Sequence, residues 1–179
     1  RNRARRYLPG SGMHVLSAQS LFASGILQKA LPYLEELANQ TGLVVALGVC
    51  WRNRVTYLYH HRKNGLPLEL GRQTPYDAGA SSLGMVLLAQ STDEQLQEQF
   101  PAGVIPGYPG NFSQFMTDIH KIRQQGYALL DRGHLNLALP LAPETGAALA
   151  LSDFYEIEKT PELLELLKAT AGKIDTALH

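Results

Sequence analysis

Residues 43–51, Leu-Val-Val-Ala-Leu-Gly-Val-Cys-Trp, alternate with a period of two. Leu43, Val45, Leu47, Val49 and Trp51 fall on one side, and Val44, Ala46, Gly48 and Cys50 on the other. The stretch reads as a strand with one bulky face and one nearly bare. A sheet built on it has to bury the bulky side under helices. The bare side is open to two outcomes: helices that approach closely over small residues, or an underfilled space.

The neighbouring segments extend this sheet. Arg52–Arg54 reads as a turn, Val55–His61 as the antiparallel return strand, and residues 66–71 as a third short strand. Residues 127–131, 135–141 and 147–153 read as further strands, the last two joined by Ala-Pro-Glu-Thr-Gly. Short connections within each run of strands favour an antiparallel sheet over a doubly wound parallel one. Period two carries the bareness onward: Asn136 and Ala138 share a face, as do Ala150 and Ser152, and Gly48 and Cys50.

Helices surround the strands. Two helical patterns precede the first strand and break near Ser24–Gly25; in the second, Leu31, Leu34, Leu37 and Ala38 recur at helical spacing and Gly42 follows as a C-cap. Pro32 marks either a kink or the first turn of that helix. A helix is expected over 83–90, a short one opened by a Ser91–Glu94 capping box, and a third opened by Asn111 and Gln114 and ending at Gly126. Thr160 as N-cap and Pro161 in the first turn predict a last helix that buries Leu163, Leu166, Leu167 and Ile174.

With 179 residues, 45% hydrophobic and 18% charged, the chain has the size and composition of one globular domain. No unbroken apolar span approaches the roughly 18 residues of a transmembrane helix. The basic start lacks the apolar region of a secretory signal. One cysteine excludes an internal disulfide framework and fits a reducing cytosol. Arg1, Arg3, Arg5 and Arg6 supply four of the 16 cations; without them 12 Lys and Arg face 16 Asp and Glu, too few for a nucleic-acid-binding body. The basic start reads as the stretch that follows an upstream domain, or as a nucleic-acid arm.

Catalytic and metal-binding patterns are missing. Cys50 lies mid-strand with no adjacent base and reads as a buried inert thiol. His60 and His61, as strand neighbours, point to opposite faces and read as a surface pair near the hairpin end, with no second cluster at metal-ligand spacing. The segment Pro-Tyr-Asp-Ala-Gly-Ala-Ser-Ser-Leu-Gly (75–84) lacks the Lys of a phosphate-binding loop and the last Gly of a nucleophile elbow. Its small residues put backbone N–H groups and two hydroxyls at the mouth of a helix, where a polar or anionic ligand atom is received. Equally, a serine there simply caps the helix and Gly79 shapes the turn.

Taken together, these segments resemble the effector-binding domain of IclR-type bacterial transcriptional regulators over nearly the whole chain. Residues 31–42 are similar to the family's helix before the first strand, 54–61 to its second strand, 70–89 to its small-residue signature and 122–131 to its Arg-x-x-Gly-Tyr segment. Residues 6–17 resemble the end of the wing and the start of the linker helix of a winged helix-turn-helix domain, whose DNA-reading helices would lie upstream. The resemblance implies an α/β (α+β) GAF-like domain: a central antiparallel sheet of about six strands flanked by helices, over residues 25–179, preceded by wing and linker helix over 1–24.

It also implies a metabolite pocket on one sheet face, closed by the small-residue loop. Ser81, Ser82, Leu83 and Gly84 would contact the ligand, with Leu66 as apolar wall and Asp131, Asn136 and Ser152 as polar partners. Asn136 stands where the family often carries Cys, and Ala150 where it often carries a second Ser. The effector is therefore expected to differ from those of well-studied members.

The expected function is ligand sensing in the cytoplasm. A small carboxylate (a hydroxy, keto, sugar or aromatic acid) would dock its anionic end near Ser81–Gly84, with no cofactor, metal, catalysis or membrane contact. The partners would be a second or further copies in a homodimer or homotetramer, and DNA only through the upstream domain. Two rivals are a dimerisation module with a filled pocket and a GAF-fold enzyme such as a sulfoxide reductase, whose resolving chemistry a single cysteine disfavours.

Overall fold

In the computed structural model, which describes residues 10–62, 75–131 and 133–179, the alternating stretch forms β1 (Val44–Trp51) and returns as β2 (Arg54–Arg62). Arg52 and Asn53 between them take φ of 47° and 62°, the left-handed pair of a two-residue turn whose twist suits a hairpin. The other strands are β3 (Tyr76–Asp77), β4 (Ala128–Asp131), β5 (Leu135–Pro140) and β6 (Ala147–Asp153). They make one six-stranded sheet in the order β3-β2-β1-β6-β5-β4, antiparallel at every pairing. The two sequence runs are thus joined through β1 and β6 at the centre.

The strand expected at 66–71, with Leu66, lies outside the described residues. Among the described residues the edge strand beside β2 is β3, in the approach to the small-residue segment. Arg54 holds it there, donating from Nη1 to Asp77 Oδ1 (2.5 Å) and from Nη2 to the Pro75 carbonyl (2.6 Å).

The sheet separates two cores, as the alternation requires. Val45, Leu47, Leu137, Leu139, Leu149 and Leu151 pack beneath α2 (Ile26–Thr41) and α6 (Thr160–Leu178). Helix α2 offers Ile26, Ala30, Leu34, Leu37 and Ala38 at helical spacing, while Leu31 stays exposed. Pro32 sits inside α2 on its exposed side, not in its first turn. Gly42 ends the helix at φ 68°, its N–H donating to the Ala38 carbonyl at 2.9 Å. The opposite, bare face carries Ala46, Ala128, Ala138, Ala148 and Ala150, packed with α3 (Ser82–Leu88) and α5 (Phe112–Gln125).

Two caps differ from expectation by small shifts. The capping box that opens α4 (Asp93–Gln99) is Thr92 with Gln95, one residue later than expected, whereas Asn111 with Gln114 opens α5 as expected. Thr160 is not an N-cap: a 3-10 turn, Ile157–Lys159, runs straight into α6. Thr160 already has helical φ −53° and ψ −42°, so its hydroxyl cannot reach forward as a cap. Helix α1 (Ser11–Ser24) is separated from α2 by Gly25 at φ 62°, where the sequence pattern breaks.

Candidate functional site

The small-residue segment divides into residues that are small for packing and residues that face open space. A Cβ on Gly84 would stand 2.2 Å from the Ala78 carbonyl oxygen, and one on Gly79 would stand 2.7 Å from the Pro106 carbonyl oxygen. Those two glycines exist for backbone contact. Ser81 is the N-cap of α3, its Oγ accepting from the Gly84 N–H at 3.4 Å, and its hydroxyl also hydrogen-bonds with that of Tyr57. Ser82 opens the helix at 5% exposure, and among the described residues its hydroxyl has no hydrogen-bond partner.

The bare sheet face is likewise divided along its strands. Ala128, Ala138 and Ala148 are fully buried where α3 and α5 press on the sheet. A Cβ on Gly48 would stand 3.3 Å from Leu83 Cδ1, so here the helix approaches closely over small residues. Beyond that contact, Ala46 and Ala150 floor a cavity of about 230 Å³.

Each wall has an identifiable origin. Asn136 and Ser152 are register partners on β5 and β6 and occupy the row next to Ala150. Asn136 Nδ2 donates to the His134 carbonyl at 2.9 Å, which fixes the amide. Ser82 and Leu83 close the cavity from α3, and Tyr76, Ala80 and His134 form its exposed rim.

Tyr57 and His60 reach the same cavity because β2 is irregular. Leu47 pairs with Tyr59 but Gly48 pairs with Tyr57, leaving Leu58 as the extra residue of a bulge. The slip puts Tyr57 and His60 on one face, with ring centroids 5.1 Å apart, while His61 turns to the other face beside Tyr59 at 6.0 Å. Burial pushes the Tyr57 phenol above its ordinary value, partly offset by the Ser81 hydrogen bond, with Tyr76 adding to the rise. Burial pushes the His60 imidazole below its ordinary value, with His61 adding to the effect and a backbone hydrogen bond opposing it.

Five of the expected site residues therefore converge: Ser81, Ser82, Leu83, Asn136 and Ser152. Gly84 does not line the cavity, because its Cα is pressed against Ala78 and its N–H is turned to Ser81. Asp131 also stands apart. Leu130 is the register partner of Asn136, so alternation puts the next residue on the opposite face, where Asp131 Oδ1 accepts from the Gly133 N–H at 3.1 Å. It borders a separate outer groove with Glu156. Leu66 lies outside the described residues.

Sequence reasoning missed Tyr57, His60, Tyr76, Ala80 and His134. Residues 57 and 60 fall on opposite faces of a regular strand, and only the bulge brings them together. The half-buried Cys50 thiol is pushed upward by burial, which holds it protonated at neutral pH. Among the described residues no three His, Cys, Asp or Glu side chains gather as a metal site, and no helix is long and apolar enough to cross a membrane.

Comparisons with known proteins agree with this architecture. Residues 18–138 match the family described as bacterial transcriptional regulator IclR C-terminal. No protein with a curated description matches by sequence. A transcriptional regulator from Rhodococcus sp. RHA1 superposes with a TM-score of 0.80 at 21% identity, over 94% of this chain and 76% of that one. The C-terminal domain of the E. coli regulator KdgR gives 0.70 at 17%, over 86% and 98%. An IclR homolog from Microbacterium hydrocarbonoxydans, complexed with 4-hydroxybenzoate, gives 0.73 at 22%, over 94% and 74%. The six-stranded antiparallel sheet with its helices is thus the GAF-like α/β domain expected from the sequence, and that family is one of transcriptional regulators. The chain belongs to the IclR family of bacterial transcriptional regulators, matching its C-terminal, effector-binding domain.

Proposed function

We propose that the cavity between the small-residue loop and the bare sheet face is the effector site, and that it takes a small carboxylic acid. The observation that carries this reading is the convergence of Ser81, Ser82, Leu83, Asn136 and Ser152, from three separate elements, on one cavity of about 230 Å³. The Ser82 residue is nearly buried, and its hydroxyl is free to bond a ligand oxygen in the cavity. The Ser82 and Leu83 amides of the first turn add donors that have no intrahelical acceptor. Asn136 and Ser152 stand across the cavity for hydroxyl or keto groups. The 4-hydroxybenzoate in the Microbacterium homolog supports a hydroxylated or aromatic acid as the first class to try.

In this reading residues 25–179 sense the acid and residues 1–24 link them to a winged helix-turn-helix that binds the operator in the cytoplasm. Paired copies change their relative positions when the effector favours one arrangement over the other. The test is a thermal-shift screen against hydroxy, keto, sugar and aromatic acids. Saturation at a hundred times Kd stabilises by about 2.7 kcal/mol, so the expected result is a saturable rise in Tm that Ser82→Trp abolishes. No rise across the panel, with Ser82→Trp destabilising by overpacking, would leave a dimerisation module.

A further inference from the structure

We propose that the cavity takes up a proton together with its acid, and that His60 is the residue that receives it. The proposal rests on the effector reading above and deepens it. His60 enters the cavity from β2 through the bulge and lies against Tyr57. The groups that face it are few. Tyr57 comes from its own strand, Tyr76 from β3, Ser81 and Ser82 from α3, Asn136 and Ser152 from β5 and β6, and His134 from the turn before β5. Its register partner on β1 is Ala46. His61, behind it on the other face, is the further titratable neighbour.

The described lining thus holds no carboxylate, lysine or arginine. Phenols ordinarily titrate near pH 10, and burial moves Tyr57 further up. The His60 imidazole is held below its ordinary value by burial, so it is neutral in the empty cavity at pH 7. A carboxylate placed within a few ångströms reverses that balance, because an adjacent opposite charge favours the protonated ring. The proton then comes from the buffer acid or hydronium, whose bond to it breaks as the imidazole N–H bond forms.

The sign follows from linkage. The bound state holds the extra proton, so affinity for the acid rises as pH falls and levels off below the free-state value of His60. Between the free and bound values the slope approaches tenfold in Kd per pH unit for one proton. Uncharged analogues show no such slope.

Isothermal titration calorimetry at pH 7.5 in HEPES, PIPES and Tris tests this directly, since the buffers differ in ionisation enthalpy. The probes are 4-hydroxybenzoate and pyruvate, each against its uncharged amide. The expected result is an apparent enthalpy that varies with buffer for the acid, giving uptake of a large fraction of one proton, and that reports none for the amide. His60→Gln should abolish the uptake and narrow the preference for acid over amide, whereas His14→Gln, on α1 and outside the cavity, should keep both. Acid binding without buffer dependence would overturn the proposal and leave the effector site standing. Uptake lost in His134→Gln but kept in His60→Gln would overturn the assignment to His60. Binding by neither acid would overturn the proposal, and the thermal-shift panel then decides the effector reading by itself.

Discussion

Gly84 and Ser82, two residues apart, show how neighbouring small side chains serve different ends. Gly84 has no room: its missing Cβ would overlap the Ala78 backbone at 2.2 Å, and backbone on both sides has little freedom to yield. Gly84→Ala is expected to destabilise by about 1–3 kcal/mol, the range for overpacking. Gly172 in α6 is the control, since a Cβ there meets nothing within 4 Å. Gly172→Ala should stabilise by about 0.5–1 kcal/mol through helix propensity alone. Urea unfolding of both variants checks the contrast; equal effects would mean that the close approach at Ala78 relaxes freely. Both roles were written into the sequence as smallness, and smallness alone does not say which residue touches backbone and which faces space. The partner of Gly84 is six residues away, but the partners of Gly79, at residues 105–108, come from another loop.

At the scale of elements, α3 must stay on the sheet for a cavity to exist beside it, and α5 anchors it. Arg123 of α5 donates from Nε to the Ala89 carbonyl (2.8 Å), from Nη2 to the Ser91 carbonyl (2.7 Å) and from Nη1 to Asp93 Oδ1 (2.5 Å). His120 Nε2 meets Asp93 Oδ2 at 2.9 Å. The Arg123 hydrogen bond, then that of His120, holds the Asp93 carboxyl below the usual carboxylate range. A depressed folded-state value means that the stabilisation is present above the unfolded carboxylate value, near pH 4, and is lost as pH falls through the folded one. Asp93→Asn is accordingly expected to lower Tm at pH 7 and to converge on the unmodified protein at pH 3. A gap in Tm that persists at pH 3 would assign the effect to packing. The capping boxes of α4 and α5 were legible because a cap is local, spanning four residues. The Arg123 clamp was not, because its acceptors lie some 30 residues upstream and only the fold brings them close.

The same division between local and distant information governs the whole molecule. Two runs of alternating strands, short turns and a bare face were readable residue by residue and gave the antiparallel class, whereas the five cavity residues were singled out by the family resemblance. The β1–β6 pairing that joins the runs, the bulge in β2 and the reach of His134 depend on contacts distant in the chain, which leave no periodic mark. At this scale helix α1 is left without cover by the described residues. Met13, Val15, Leu16 and Phe22 are 53–79% exposed, and a helix apolar on several sides is normally buried on several sides. The described side chains of α1 are all exposed, so we propose that a second copy supplies the cover and that α1 is the element through which paired domains sense one another. Sedimentation velocity is expected to give a dimer or tetramer for the unmodified chain and a monomer for Leu16→Glu combined with Phe22→Glu. Because α1 packs so little against the rest of its own chain, the double variant should keep its Tm and its effector response while losing association. Loss of association together with loss of fold would instead make α1 part of the domain itself. Association unchanged by both charges would place the contact on another surface.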